Sequence, residues 1–215
     1  SRTNRVKSGG ALMAKYTFDD IIHHGPAIRL AVERCKLVSD SDSSVLLYGE
    51  TGTGKELFAQ SIHNESRRAD KPFIAINCAA IPEALLESML FGTEKGAYTG
   101  AEKREGIFEQ ANKGTLLLDE INSMGLNLQS KFLRVLQDGM VRRVGGMENI
   151  HVDVRIISSM NITPAKALEG HVLRQDLFHR LGVVAIRIPP LRERDKDLPL
   201  LIRNFITSFN KKLLK

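Results

Sequence analysis

The residues of this chain best suited to phosphate chemistry form one glycine-rich segment, Gly49-Glu50-Thr51-Gly52-Thr53-Gly54-Lys55-Glu56. Its Gly-x4-Gly-Lys spacing is that of a phosphate-binding loop, in which backbone N–H groups face the phosphates and the lysine reaches the β- and γ-phosphate oxygens. A helix that begins directly after such a loop adds its dipole. The alternative is a glycine-rich turn without a ligand. An apolar strand before the segment and a helix after it favour the nucleotide site.

Position 56 departs from the general motif, in which a Ser or Thr hydroxyl binds the magnesium ion. The run Thr115-Leu116-Leu117-Leu118-Asp119-Glu120 offers other metal-binding groups. An apolar strand that ends in two carboxylates predicts Asp119 in the Mg2+ shell and Glu120 as the group that polarises the attacking water. The alternative is a strand that ends in a charged turn. Together the two segments predict ATP hydrolysis rather than nucleotide binding alone.

A third segment, Gly96-Ala97-Tyr98-Thr99-Gly100-Ala101, has the residue types of a contact loop. Glycine and alanine permit the loop to change shape, the ring of Tyr98 offers a rigid apolar contact, and Thr99 offers a hydroxyl. From the residues alone, a solvated turn with one stray aromatic side chain is the simpler interpretation.

Strands and helices must position these three segments. Apolar runs predict strands at Val45–Tyr48, Phe73–Ile76, Thr115–Leu118, Val154–Ile157 and Val183–Ile188. Apolar spacing predicts helices at Ala27–Leu37, Lys55–His63 and Glu83–Leu90, one that carries Leu128, Phe132, Val135 and Leu136, and an amphipathic one after Pro189-Pro190 with Asp195 and Asp197 near its start. Alternating strands and helices predict an α/β fold with a mainly parallel, five-stranded sheet flanked by helices.

Length and composition indicate a soluble globular protein. A chain of 215 residues with 42% hydrophobic and 26% charged residues suits one domain, with room for a fragment of a second. No apolar run approaches the ~18 residues of a membrane span, and the first residues do not show a signal-peptide pattern. Cys35 and Cys78 are too few and too far apart for a disulfide framework or a metal site. We expect buried thiols and a cytoplasmic location.

The net charge of +6 does not indicate a DNA-binding face. Six of the 31 basic residues lie at the two ends, and the others balance the 25 acidic residues; the six are Arg2, Arg5, Lys7, Lys211, Lys212 and Lys215. We therefore expect solvated ends, with residues 1–14 as a linker and residues 15–215 as the α/β domain. Because the chain begins at Ser1 without an initiator Met, we expect it to be a piece of a longer protein.

These segments resemble the central AAA+ domain of bacterial enhancer-binding proteins, the activators of sigma-54 RNA polymerase. Gly49–Glu56 resembles the family's Gly-Glu-x-Gly-Thr-Gly-Lys-Glu loop, in which Glu after the lysine is usual. Gly96–Ala101 resembles its Gly-Ala-Phe-Thr-Gly-Ala loop, with Tyr98 in place of Phe. Further matching blocks are Asn77–Ala80, Leu90–Gly92 and Pro189–Arg194. Ser44–Asn64, Leu116–Met124 and Met160-Asn161 look most like regulators of arginine and ornithine catabolism.

The resemblance implies an AAA+ P-loop NTPase with ATP and Mg2+ as its cofactors, and it implies a role for several residues. Gly96–Ala101 would extend in the ATP-bound or transition state and grip sigma-54. Asn77 would contact Glu120 and relay the nucleotide state. Asn161 would sense the γ-phosphate, although Met160 stands where the family commonly has Thr.

The remaining implied roles concern the adenine pocket and the neighbouring subunit. Ile22 lies where the adenine pocket begins, although His23-His24 departs from the usual Gly. Gln137–Gly146 resembles a second pore-side loop. Arg174 and Arg180 fall in the arginine-finger segment, which would act on the nucleotide of a neighbouring subunit in a homo-oligomeric ring, a hexamer in this family. An intrasubunit salt bridge is the alternative for each arginine.

The implied function is ATP-driven remodelling of the sigma-54 RNA polymerase holoenzyme, from the closed to the open promoter complex. The alternative is a non-catalytic, ligand-responsive regulator on the same fold, and retention of Gly96–Ala101, Asp119 and Glu120 favours the first. AAA+ unfoldases and DNA motors share the nucleotide site but not the hexapeptide. We expect the helical lid and the DNA-binding helix-turn-helix to lie beyond this chain, no membrane contact, and weak hydrolysis by the fragment alone.

Overall fold

The computed structural model describes residues 13–23, 25–194 and 197–213. Its helices are α1 (Pro26–Ser39), α2 (Lys55–Glu65), α3 (Glu83–Phe91), α4 (Ile107–Gln110), α5 (Leu126–Asp138), α6 (Pro164–Glu169), α7 (Gln175–Leu181) and α8 (Leu198–Leu213). Its strands are β1 (Val45–Tyr48), β2 (Phe73–Asn77), β3 (Gly92–Thr93), β4 (Arg104–Glu105), β5 (Thr115–Asp119), β6 (Met140–Val141), β7 (Ile150–His151), β8 (Arg155–Met160) and β9 (Val184–Arg187). Short 3-10 turns lie at Phe18–Asp20, Ile121–Ser123 and Leu191–Glu193.

Five of the strands form one parallel sheet in the order β2-β5-β8-β1-β9. Their Val-, Ile- and Leu-rich sequences are those of strands that are buried on both faces, and helices cover the sheet on both sides. The predicted five-stranded parallel sheet flanked by helices is confirmed. The remaining strands form two small antiparallel ribbons, β3 with β4 and β6 with β7.

Alternating side chains of the sheet enter two separate cores, because successive residues of a strand point to opposite faces. Val45 and Leu47 of β1 lie in the core that the sheet forms with α1 and α2. Leu46 lies in the larger core on the other face, with α3, α4, α5 and α7. The large core includes three contacting phenylalanines, Phe91, Phe108 and Phe132.

The strand predicted at residues 154–157 is wrong at both ends. Strand β8 begins at Arg155 and continues through Ser158 and Ser159 to Met160. The apolar pattern stops at Ile157 because the serines interrupt it, whereas backbone pairing with β1 continues until Met160 lies opposite Tyr48. The carboxyl ends of β1 and β8 are therefore level.

In the C-terminal part, the predicted amphipathic helix is present and, among the described residues, the expected linker at the C-terminal end is not. Helix α8 covers Leu198–Leu213 after the Pro189-Pro190 pair. Lys211 and Lys212 therefore lie in a helix and not in a solvated linker; Asp195 and Lys215 lie outside the described residues. The described residues after β9 hold the turn at Leu191–Glu193 and α8, and no helical lid.

The N-terminal described residues are attached to α2. The amide N–H groups of Lys15 and Tyr16 donate to Gln60 Oε1, at 2.8 and 3.2 Å. Asn64, one turn further along α2, donates to the carbonyls of Ala14 and Tyr16. Residues 1–12, most of the expected linker, lie outside the described residues.

Both cysteines are buried and unpaired, as expected. Burial raises the pKa of the Cys35 and Cys78 thiols to about 12, so both stay protonated near neutral pH. None of the helices described has the length and apolar character needed to cross a membrane.

His63 of α2 is fully buried beside the sheet. Its Nδ1 lies 2.8 Å from Thr115 Oγ1, and its ring packs against Phe73. Burial lowers its pKa to about 4. Because an unfolded histidine titrates near ~6.5, the stabilising contribution is complete above pH ~6.5 and is lost as the pH falls through about 4.

We expect this residue to remove about 2 kcal/mol from the free energy of unfolding between pH ~7.5 and ~5. In His63→Phe the titrating group is gone, so the loss over that range should shrink by the same amount. The variant should be less stable near neutral pH, because Thr115 loses its partner. Urea denaturation of both proteins at the two pH values measures this. Identical pH dependence in the two proteins would contradict it.

Candidate functional site

The predicted phosphate loop connects β1 to α2. Gly52 and Gly54 have φ angles of +80° and +90°, the left-handed region that glycine adopts without strain. At Gly49 a Cβ atom would lie 2.3 Å from the carbonyl oxygen of Ile188. Glycine at position 49 therefore lets the loop leave β1 directly beside the chain that follows β9.

Lys55 is a buried cation at the start of α2. Its Nζ donates to the carbonyl oxygens of Gly49 and Glu50, at 2.7 and 2.8 Å. No carboxylate of the described residues lies within ion-pair distance of it. Burial lowers its pKa, and the charges of Asp119 and Glu120 act in the opposite sense. Carbonyl oxygens bind this ammonium but do not neutralise its charge, so it attracts an anion such as a phosphate.

The two predicted carboxylates lie at the carboxyl end of β5. Ser159 of β8 donates its hydroxyl to the Asp119 carboxylate and accepts the N–H of Glu120 at 3.2 Å. Glu120 has φ +53° and ψ +51°, a left-handed conformation that costs a non-glycine residue about 1 kcal/mol. Ser159 therefore binds both the Asp119 side chain and the backbone of the Glu120 turn. The sequence pattern did not identify Ser159, because the predicted strand ended before it.

Asp119 is suited to a magnesium ion that is shared with a nucleotide. The described residues contain no group of three or more side chains able to hold a metal by themselves. Magnesium at nucleotide sites takes one or two carboxylates together with phosphate oxygens and water. One carboxylate beside the phosphate loop fits that donor set.

The two predicted sensor residues lie at the ends of β2 and β8, the strands on either side of β5. Asn77 is paired with Asp119 across the β2–β5 ladder. Its Oδ1 accepts from the N–H of Ala79 at 2.9 Å, and in the described structure no hydrogen bond joins it to Glu120. Asn161 follows β8 directly, and its Oδ1 accepts from Nδ2 of Asn122 at 3.2 Å. The structure thus places Asn77 opposite Asp119 and Asn161 against Asn122, and the contact of Asn77 with Glu120 stays a prediction.

A cavity of about 420 Å3 adjoins the phosphate loop at the position expected for adenine. It is lined by Ile21, Ile22, Gly52, Thr53, Leu57, Phe58, Leu191, Leu201 and Phe205, among others. Arg194 donates to the carbonyl of Ile22 at 3.0 Å and pairs with Asp197, which accepts the N–H of Gly25 at 2.9 Å. His24 lies outside the described residues.

The phosphate loop is also joined to the segment after β9. Arg192 forms a bidentate ion pair with Glu50, at 2.6 and 2.5 Å, and lowers the pKa of that carboxyl. Arg187 pairs with Glu193 in the same way. Neither Arg192 nor Arg194 was identified as a site residue from the sequence. Their only signal in the sequence is that they lie in the Pro-Pro-Leu-Arg-Glu-Arg block, one of the segments that match the family.

The two candidate arginine fingers have partners within their own chain. Arg174, directly before α7, pairs with Asp176 at 3.0 and 2.8 Å. Arg180 of α7 donates to the carbonyl of Leu136 at 2.8 Å. Arg174 is half-exposed and Arg180 exposed. Their action on a neighbouring subunit stays a prediction, as does the hexameric ring.

The hexapeptide at residues 96–101 closes on itself at the surface. The N–H of Gly96 donates to the carbonyl of Ala101 at 3.1 Å, and the N–H of Ala101 donates to the carbonyl of Tyr98 at 3.0 Å. Gly96 and Gly100 both have positive φ angles. The Tyr98 side chain at the tip is 53% exposed. The loop is rooted in the β3–β4 ribbon.

Arg143 connects the hexapeptide loop to the loop between β6 and β7, which begins in the predicted second pore-side segment. Its guanidinium makes a bidentate pair with Glu109 of α4, at 2.9 and 2.7 Å, and bonds Glu94 at 2.9 Å. The N–H of Val144 donates to the carbonyl of Gly92, and the N–H of Glu94 donates to the carbonyl of Val144, at 2.9 and 3.0 Å. The two loops therefore share one hydrogen-bonded base.

Comparison with solved structures identifies the class of fold. NtrX from Brucella abortus, solved in complex with ATP, is 37% identical with a TM-score of 0.81, over 88% of this chain and 43% of NtrX. The P-loop NTPase domain of a sigma-54 transport activator from E. coli matches with a TM-score of 0.54 at 20% identity, over 76% of this chain and 95% of that domain. The domain has the P-loop NTPase fold.

The family follows from the sequence comparisons. Residues 21–187 match the family described as the sigma-54 interaction domain, to which the chain therefore belongs. Transcriptional activator RocR of Bacillus subtilis (strain 168) is 54% identical over 209 residues, which are 97% of this chain and 45% of RocR. The resemblance to the AAA+ domain of sigma-54-dependent transcriptional activators is confirmed. The chain spans less than half the length of RocR and of NtrX.

A prediction concerns the base of the hexapeptide loop. Gly106 precedes α4, and a Cβ there would lie 2.4 Å from Gly92 N and 2.5 Å from the Leu90 carbonyl oxygen. We expect Gly106→Ala to lower the free energy of unfolding by about 1–3 kcal/mol, because backbone atoms cannot yield as a side chain can. Urea denaturation measures the loss.

Gly25→Ala is the matched control, because Gly25 also caps a helix, α1. Among the described residues, a Cβ at Gly25 would have no neighbour nearer than 3.9 Å. The control should lose less than about 1 kcal/mol. Equal losses in the two variants would show that the clash is not the cause.

Proposed function

We propose that this domain hydrolyses ATP and uses the resulting conformational change to remodel the sigma-54 RNA polymerase holoenzyme, which drives open promoter complex formation. The observation that carries the proposal is the buried, carbonyl-bound ammonium of Lys55 beside Asp119 and Glu120. The chain also presents the hexapeptide at its surface and belongs to the sigma-54 interaction domain family. NtrX, solved with ATP, supports the choice of nucleotide.

Each residue of the site has a separate role in the transfer of the γ-phosphoryl group to water. Lys55 and the N–H groups of the loop bind the β- and γ-phosphates. Asp119 would hold Mg2+, which when bound offsets phosphate charge. Glu120 orients a water whose oxygen forms the new bond to the γ-phosphorus as the bond to ADP breaks, and it accepts the proton of that water. Arg174 or Arg180 of the neighbouring subunit would stabilise the developing charge.

A short covalent route leads from the nucleotide site to the contact loop. Asn77 lies beside Asp119, at the end of β2. Only five residues separate Asn77 from α3, and α3 leads directly into β3 and the hexapeptide loop. A shift of Asn77 on loss of the γ-phosphate would move α3, and with it the base of the loop. This route supports coupling of hydrolysis to the grip on sigma-54.

The nucleotide step is tested with two variants of the full-length protein. We expect Lys55→Ala to lose ATP binding, because the buried cation is gone. Glu120→Gln should keep binding and lose at least about 100-fold in hydrolysis, the scale of general-base loss. Binding of a fluorescent ATP analogue and release of phosphate measure the two effects. Unchanged turnover in Glu120→Gln would contradict the assigned base and leave binding and regulation without hydrolysis as the function.

The sigma-54 step is tested at the tip of the hexapeptide. We expect Tyr98→Ala to abolish the complex that full-length protein forms with sigma-54 when trapped by ADP and a metal fluoride, while ATP hydrolysis continues. Tyr98→Phe is the matched control and should keep the complex, because the ring is retained. Native gel electrophoresis reports the complex. Survival of the complex in Tyr98→Ala, or loss of hydrolysis with it, would show that the role of the loop is wrong.

A further inference from the structure

We propose that Asn204 of α8 selects adenine over guanine, and that Phe205 beside it packs against the face of the base. The inference rests on the proposed function, because it concerns the nucleotide that the site would hydrolyse. It assigns the recognition of the base to the C-terminal helix. The observation that carries it is the side-chain amide of Asn204 at the wall of the cavity beside the phosphate loop.

The cavity beside the phosphate loop has the size and position of a base-binding site. Its volume of about 420 Å3 is within the ~300–1,000 Å3 usual for small-molecule sites. The phosphate loop forms one side with residues 52–54, and α8 contributes Leu201, Asn204 and Phe205. Since these three residues have the spacing i, i+3 and i+4, they lie on one face of the helix. A base whose phosphates are bound in the loop would therefore meet this face of α8.

Most of the cavity wall is apolar and does not distinguish one purine from another. Its apolar residues include Ile21, Ile22, Leu57, Phe58, Leu191 and Leu201. Apolar contact stabilises adenine and guanine alike, because every base has a π face. Selection between the two purines requires polar groups that hydrogen-bond to the edge of the base.

The other polar side chains that the structure describes in this wall are already engaged within the protein. The Thr53 hydroxyl donates to a carbonyl of the phosphate loop at 2.9 Å. Arg194 donates to the carbonyl of Ile22 at 3.0 Å and is paired with a carboxylate. One carboxylate oxygen of Asp20 accepts an N–H of its own turn at 2.8 Å. The amide of Asn204, by contrast, makes no hydrogen bond to any described residue, so it is available to a base.

The amide of Asn204 matches the edge of adenine. A side-chain amide has one acceptor oxygen and one NH2 donor group. Adenine presents the N6 amino donor beside the N7 acceptor, whereas guanine presents two acceptors, O6 and N7. With adenine, Oδ1 of Asn204 would accept from N6 and Nδ2 would donate to N7. With guanine, Oδ1 would face O6, and two acceptors repel each other. The amide therefore favours adenine.

Phe205 contributes affinity without selectivity. Its side chain is 61% exposed, although it is large and apolar, and it lies at the cavity wall. An exposed apolar side chain is ordinary on a protein surface and does not by itself indicate a site. Here the ring is next to the amide that reads the edge of the base, where it can cover the face of that base. Such contacts stabilise any purine.

The experiment measures the Kd of non-hydrolysable ATP and GTP analogues for the full-length protein by isothermal titration calorimetry. Asn204→Leu removes the amide at similar volume. We expect it to weaken ATP binding about tenfold and to leave GTP binding unchanged, so the preference for ATP falls about tenfold. Phe205→Ala should weaken both nucleotides by a similar factor, roughly tenfold, and leave the preference intact.

Two further variants isolate the amide. Asn204→Asp keeps the shape of the side chain but removes the donor to N7, so the preference for ATP should also fall. Thr207→Leu is the matched control, because Thr207 is on the same helix and does not line the cavity. It should keep the wild-type preference.

The outcomes separate the inference from the proposed function. If wild-type protein binds neither nucleotide, the proposed function is contradicted and this inference with it. If wild-type protein binds and hydrolyses ATP, and both Asn204 variants keep its preference for ATP, the inference alone is overturned. An equal loss of preference in Thr207→Leu would also overturn it, since a general disturbance of α8 would then be the cause.

Discussion

The pairing of β8 between β1 and β5 is the constraint on which the site depends. It places one strand between the phosphate loop and the carboxylates, a separation of about 10 Å between the two backbones. The polar end of β8 lies in this space, where the Ser159 hydroxyl donates a hydrogen bond to the Asp119 carboxylate and accepts one from the N–H of Glu120. An apolar residue in its place would leave the Glu120 turn without its acceptor.

Two buried cations illustrate how burial alone fails to identify function. Arg155 is 2% exposed, donates to the carbonyls of Val38 and Ser39 at 2.7 and 2.8 Å, and has its pKa lowered by burial to about 10. Those carbonyls are at the end of α1, whose dipole favours a cation, so the charge of Arg155 is compensated within the fold, while its Nε has no hydrogen-bond partner among the described residues. Lys55 also bonds carbonyls, but it is at the N-terminal end of α2, where the dipole favours an anion. The end of the helix at which each cation lies therefore distinguishes Arg155, which is structural, from Lys55, which is suited to bind a phosphate.

The sequence predicted the features that local pattern controls. The apolar strands at Val45–Tyr48 and Thr115–Leu118 and the glycine loop between β1 and α2 follow from the sequence, because spacing and residue type define them; β5 extends one residue further, to Asp119. Ser159 was missed as a site residue because the predicted strand ended before it. Arg192 and Arg194 were missed because their partners are distant in sequence: Glu50 is 142 positions from Arg192, and Ile22 is 172 positions from Arg194. Such contacts leave no periodic signal. A contact with a neighbouring subunit, as expected for Arg174 or Arg180, leaves none in one chain.

The hexapeptide loop and the loop between β6 and β7 share a base in which the charge of Arg143 is compensated by two carboxylates. Arg143 has both of its carboxylate partners on other elements, Glu94 beside β3 and Glu109 on α4. Separating the loops would expose one guanidinium and two carboxylates that are now mutually satisfied in a poorly hydrated place, which costs more than moving them together. Separation of the two loops is therefore disfavoured, and their shared base holds them together.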